Sequence, residues 1–237
     1  ARSLAAEGAE GLEPVMLDVT RAEDIERVTR ALADEGGLYG LVNNAGIYLG
    51  GALELMKPAE IRATFEVNVV GLLLLTRACL PMLRESGGRI VNISSISGLV
   101  AMPGASVYAA SKHAVEAATT SLRNELAPFG VRVVAVEPGA IDTEIWRKGR
   151  ERDKARQARE DEEVEALYRP LTRLVEKLNA RPRGIPPEAV AEVVSEALGA
   201  EDPHNHYLVG RDAKSIALFG RLPEGVRDWV VRKKVWG

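Results

Sequence analysis

Tyr108 and Lys112 lie four residues apart in the stretch SISGLVAMPGASVYAASK, which opens on Ser95. On a helix that spacing sets the two side chains one turn apart on the same face. A free phenol ionises near pH ~10 and is a poor proton donor or acceptor at neutrality. An ammonium held beside it favours the phenolate and is expected to bring the pKa of Tyr108 down into a useful range. Ser95 adds a hydroxyl able to hydrogen-bond a substrate oxygen while Tyr108 exchanges a proton with it. Proton exchange at one oxygen is half of interconverting an alcohol and a ketone; the other half is a hydride carrier. Alone, the pair would read as an ordinary Tyr and a solvated Lys on a surface helix, so its setting decides.

That setting is informative. A strand-like run at 89–93 ends directly at Ser94 and Ser95, and a Gly/Pro-containing loop follows before the helix with Tyr108. The polar groups thus fall at a strand's carboxyl end, where open α/β sheets place their ligands. Apolar runs at 15–19, 38–42, 89–93, 131–136 and 207–209 are separated by helical patterns at 21–34, 58–85, 106–129 and 187–198. Nearly continuous apolar strands mark a parallel sheet covered on both faces. Gly36-Gly37, Gly87-Gly88 and Gly130 close helices just before strands, and Pro58 and Pro187 suit first helical turns. The expected architecture is α/β, one doubly wound parallel-sheet domain of the Rossmann-like kind over residues 1–237.

Four more segments carry chemistry in a fixed order. Asp18-Val19-Thr20 ends an apolar run. Asn43-Asn44-Ala45-Gly46 follows Leu41-Val42, and Asn68 sits in FEVNVVG. Pro138-Gly139-Ala140-Ile141-Asp142-Thr143 follows the run at 131–136. With the Ser–Tyr–Lys stretch, these resemble the motifs of the short-chain dehydrogenase/reductase family from about residue 12 to 210. The long insertion and the Tyr207–Gly210 ending are similar to its retinol- and hydroxysteroid-dehydrogenase-like members.

The resemblance implies an oxidoreductase acting on a hydrophobic alcohol/carbonyl pair with NAD or NADP, the preference between them unreadable. It implies Tyr108 as general acid/base, Lys112 as the group that lowers its pKa and binds the nicotinamide ribose, and Ser95 as the group orienting the substrate oxygen. Asn68, at an interruption in helix 58–85, would hold a water linking Lys112 to solvent. Asp18 and Val19 would meet the adenine and Asn44, Ala45 and Gly46 the ribose side. Pro138, Gly139, Ile141 and Thr143 would line the nicotinamide. It further implies a homodimer or homotetramer. Family members begin with a strand, a glycine-rich turn, a helix and a second strand, a unit of roughly 30 or more residues. Here the expectation is that this unit is missing and that cofactor binding suffers, because the pyrophosphate rests on that turn. An inactive binding or assembly subunit is the alternative this raises, opposed by the intact downstream motifs.

Residues 144–184 are too long for an ordinary connection. The part at 147–163 reads as a solvated, charged helical face. Val164, Leu167, Tyr168, Leu171, Leu174, Val175 and Leu178 then recur at helical spacing as one apolar stripe, a lid over the substrate pocket or plain packing on the domain body.

A net charge of −3 gives no electrostatic case for nucleic acid. Cys79, the single cysteine, is expected as core filler, and the longest apolar run, at 69–75, is short of a membrane span. The expected location is cytoplasmic. The carboxyl end reads as a final helix docked through Trp229, Val230 and Val231, in preference to an interfacial membrane contact. His204 and His206 read as a loop pair without a carboxylate cluster, so no metal site is expected. Tyr39, Tyr48 and Tyr207 have no lysine four residues on and receive no role.

Overall fold

In the computed structural model, residues 11–142, 162–179 and 184–237 are described. Four parallel strands, β1 (Gly40–Asn43), β2 (Arg89–Ile93), β3 (Arg132–Pro138) and β4 (His206–Val209), stand side by side in sequence order. The α/β expectation holds, and alternation explains the apolar strands. Leu41, Ile90 and Val133 are in register on one face, and Val42, Val91 and Val134 on the other.

The first face packs on α3 (Leu72–Ser86) and α4 (Ser106–Leu126), where Leu75, Cys79, Met82, Leu83 and Leu126 close the core. Cys79 is the filler expected, and burial pushes its thiol up to about 11. The second face meets α6 (Pro187–Gly199) through Val190 and Ala197. Before β1 comes α1 (Ala22–Asp34), and before α3 comes α2 (Pro58–Phe65). Helices α5 (Glu162–Asn179), α7 (Arg211–Gly220) and α8 (Glu224–Trp236) complete the described α-helices. Gly87 ends α3 at φ 57, so the chain reverses into β2 as a left-handed cap allows. Taken whole, Pro58–Ser86 is long and apolar enough to cross a membrane, yet it supplies core residues to the sheet.

Two expectations are corrected. No strand forms at 15–19: Val15 and Met16 are exposed, and among the described residues no neighbouring strand completes a ladder. An apolar β-branched run is a strand only once its N–H and C=O groups have partners. The last helix docks through Val231 and Val235, against Ala52 and the α5 residues Leu171, Leu174 and Val175. Trp229 is 62% exposed, with Lys233 Nζ 5.2 Å from its ring centroid. Positions 231 and 235 share a helix face that 229 does not.

Candidate active site

The carboxyl ends of the four strands carry the chemistry. β2 leads into Ser94 and Ser95, and the Ser95 hydroxyl caps the short 3-10 turn Ile96–Gly98 by accepting from Ser97 N at 3.1 Å. Helix α4 then brings Tyr108 and Lys112 back over that strand end. Both are sealed, at 8% and 6% exposure. Lys112 Nζ lies 5.8 Å from the Tyr108 ring centroid and donates to Ile93 O at 2.8 Å. The Ser95 hydroxyl is hydrogen-bonded with the phenol.

Burial pushes the Tyr108 pKa up, and the Ser95 hydrogen bond opposes it only partly. That reverses the expected lowering. The phenolate loses its hydration in this enclosure, and the Lys112 ammonium is drawn to Ile93 O instead of the phenol oxygen. Burial also brings Lys112 itself down to about 8.

Asn68 sits where the sequence places an interruption. Between α2 and α3 the helix widens to a π-segment, Glu66–Gly71, a bulge of the kind often found at functional sites. Its side chain is 1% exposed. It accepts from Ile47 N at 2.8 Å and donates to Ile47 O at 3.0 Å and to Ser111 Oγ at 3.0 Å. Ser111 Oγ in turn donates to Tyr108 O at 2.7 Å. One amide thus ties the loop after β1 to α4.

That loop holds Asn44 and Ala45 exposed and Gly46 against Asn68 and Lys112. A Cβ on Gly46 would lie 3.4 Å from Asn68 Oδ1 and 3.9 Å from Lys112 Nζ, ordinary contact distances, so this backbone passes directly beside both groups. At the amino side, Asp18 Oδ1 accepts from Thr20 N and Thr20 Oγ1, which lowers its pKa and fixes the turn with buried Val19. Gly71 closes the π-segment against this turn. A Cβ there would stand 2.7 Å from Val19 Cγ2 and 2.9 Å from Val19 O. We expect Gly71→Ala to destabilise by about 1–3 kcal/mol through overpacking and to displace Val19. A thermal melt matching wild type would show that the turn yields freely.

After β3, buried Pro138 leads to Gly139 and Ile141, pinned from two sides. Gly139 N donates to Val209 O at 3.0 Å, and Ala140 N donates to Asp212 Oδ2 at 2.7 Å. Ile141 pairs with Ile185 in an isolated bridge. Thr143, the side chain of Leu178 and most of 147–163 lie outside the described residues.

Sequence reasoning missed several residues here. Tyr48, given no role, packs edge-on to Tyr108 with centroids 5.0 Å apart. Asp212, in the first turn of α7, holds the loop after β3. Asn92, in a run that reads as plain strand, accepts from Asn43 Nδ2 at 2.8 Å and donates to Thr119 Oγ1 at 2.8 Å. His206 opens β4 instead of sitting in a loop, and Glu116 and Glu137 lie beside it. A polar residue inside an apolar strand was the one signal available for Asn92 and Glu137; the others are brought together only by the fold.

The stripe on α5 is half realised. Leu171 is buried with Ala52 and Val235, while Leu167 is exposed. Gly104, at φ 79 and four residues before Tyr108, lies under this helix, where a Cβ would meet Val175 Cγ2 at 2.4 Å. Tyr168 Oη donates to Glu54 Oε2 at 2.7 Å.

The sequence matches the short chain dehydrogenase family over residues 1–154. It is 35% identical over 223 residues to the uncharacterized oxidoreductase YusZ of Bacillus subtilis (strain 168), covering 93% of this chain and 79% of that one. It is 34% identical over 249 residues to retinol dehydrogenase 7 of Rattus norvegicus, covering 100% of this chain and 77% of that one. A short chain dehydrogenase from Burkholderia cenocepacia J2315, solved in complex with NADP, superposes with a TM-score of 0.71 at 30% identity, over 97% of this chain and 83% of that one. Site geometry, fold and likeness agree: the chain belongs to the short-chain dehydrogenase/reductase family of oxidoreductases.

Proposed function

We propose that this protein interconverts a hydrophobic alcohol and its ketone or aldehyde with a nicotinamide cofactor. The observation that carries the reading is the convergence of the Ser95 hydroxyl, the buried Tyr108 phenol and the buried Lys112 ammonium at one strand end. The bare backbone of Gly46 beside Asn68 and Lys112 suits the close approach of a cofactor ring and its ribose. When bound, a nicotinamide supplies or accepts the hydride.

The chain's own residues do the rest. Ser95 orients the substrate oxygen. Tyr108 gives that oxygen its proton in reduction and takes one in oxidation. Its raised pKa keeps the phenol protonated at neutrality, which suits reduction there and oxidation in alkaline solution. Lys112 has two N–H groups beyond the one given to Ile93 O, and these would meet the ribose. The Asn68 side chain is committed to Ile47 and Ser111, so a water linking Lys112 to solvent would be held through the main chain of the π-segment. Asp18, Val19, Asn44 and Ala45 would meet the adenosine half, and Pro138, Gly139 and Ile141 the nicotinamide.

The substrate class rests on apolar lining. Leu99 and Val100 lie in the loop after Ser95, and α5, with Val175 over Gly104, would act as a lid beside Tyr108. The likeness to retinol dehydrogenase 7 supports the same class. Exposed Val70, Leu73 and Leu74 on helix 58–86 offer an apolar face for a homodimer or homotetramer. The single, buried cysteine suits a reducing, cytoplasmic setting. The test is direct: purified protein is titrated with NADH and NADPH by fluorescence, then assayed on retinal, a 17-ketosteroid and a sugar ketone. Saturable binding with turnover of the apolar carbonyls is expected. Turnover of the sugar alone would overturn the substrate class, and no binding of either dinucleotide would overturn the reading.

A further inference from the structure

Behind Lys112 lies a second group of buried charges that proton transfer does not use. Glu116 stands one turn further along α4. Its side chain is 12% exposed, and both carboxylate oxygens are shut from solvent without a hydrogen-bond partner. Gly98 makes the room, since a Cβ there would lie 3.0 Å from Glu116 Cγ and 2.9 Å from Ser94 Oγ, itself unpartnered. From β3, Glu137 is 1% exposed and gives one oxygen to His206 Nδ1, at 2.6 Å, from β4. The same nitrogen is 3.8 Å from Glu116 Oε2. Arg123, on α4, donates to Val133 O and Asn205 O and acts electrostatically on both carboxylates.

A buried carboxylate without hydrogen bonds is costly unless a cation answers it. Arg123 acts on both carboxylates, and the other buried cation within one helical turn of Glu116 is Lys112, four residues back on α4. The three potential ligand atoms of Glu116, Glu137 and His206 lie within 4.8 Å of one another, close enough for a metal ion. The Arg123 guanidinium already supplies positive charge there, which disfavours one.

We propose that Glu116 is the counter-charge of Lys112, a positioning residue that keeps the lysine an ammonium within the closed site. Its consequence for turnover rests on the catalytic reading above; the charge on the lysine does not. Burial opposes that charge and Glu116 restores part of it. Without Glu116 the lysine would give up its proton at a lower pH, and the phenol beside it would have still less help in ionising.

The test follows the 13Cε and 15Nζ resonances of Lys112 through a pH titration, assigned by their loss in Lys112→Arg. In wild type the midpoint is expected near 8. Glu116→Gln, or Glu116→Leu if the amide does not fold, is expected to lower it by about one pH unit or more. Glu116→Asp, which keeps the charge, should stay with wild type, and Glu137→Gln should move it less than Glu116→Gln. The alkaline limb of the pH–rate profile should move down with the lysine in Glu116→Gln. An unmoved lysine, or Glu116→Asp shifting as far as Glu116→Gln, would overturn the proposal. So would zinc or magnesium raising the melting temperature of wild type and not of Glu116→Gln, which would make the group a cation site. A shifted lysine without nicotinamide-dependent turnover would uphold this inference while the catalytic reading fell.

Discussion

Tyr108→Phe is expected to lower kcat by about 10²–10⁴-fold, the usual worth of a positioned proton donor, while the melting temperature hardly moves. The substitution removes one hydroxyl and no packing volume. The ring keeps its edge-on contact with Tyr48 and its place in α4. What it loses is the hydrogen bond shared with Ser95, which leaves that hydroxyl able to rotate toward substrate. Cofactor affinity should persist, because Lys112 and the Gly46 backbone are untouched. Single-turnover kinetics with a nicotinamide and an apolar carbonyl would check it. A variant retaining more than about a tenth of wild-type kcat would remove Tyr108 from the proton path.

Asn68→Ala, unlike Tyr108→Phe, should lose stability as well as rate. The amide satisfies Ile47 N–H, Ile47 C=O and Ser111 Oγ inside the protein. Stranding buried groups costs about 1–3 kcal/mol each. A total of a few kcal/mol lowers the melting temperature of a chain this size by roughly 5–10 °C. The loop at 44–52 would loosen from the π-segment, and Gly46 with it, so KM for the dinucleotide should rise together with the fall in kcat. A melt within about two degrees of wild type would mean that water replaces the amide at little loss.

The contrast between these variants bears on what the sequence could reveal. Tyr108, Lys112 and Ser95 were legible because local spacing and a strand end put them together. Their helix, β2 and the interruption at Asn68 followed from glycine stops, apolar runs and resemblance. The direction of the Tyr108 shift was not legible, because it depends on how completely the fold excludes water. Nor was the carboxylate group at His206, whose members come from α4, β3 and β4 and meet only once the sheet has registered. The run at 15–19 shows the reverse error: its composition suits a strand, but pairing decides, and composition says nothing about a neighbour.

Among the described residues, the buried face of α5 packs with the last helix and not within the clusters on the sheet. Leu171 is clustered with Ala52, Val231 and Val235, and Val175 lies over the bare backbone of Gly104, just before α4. If α5 covers the substrate as proposed, that cover and the last helix of the chain act as one packed pair. Substrate range in such a molecule can drift, or be transplanted, by exchanging α5 and α8 together as a matched cassette. Exchanging either one alone would leave a cover without its seat, even with every catalytic atom in place.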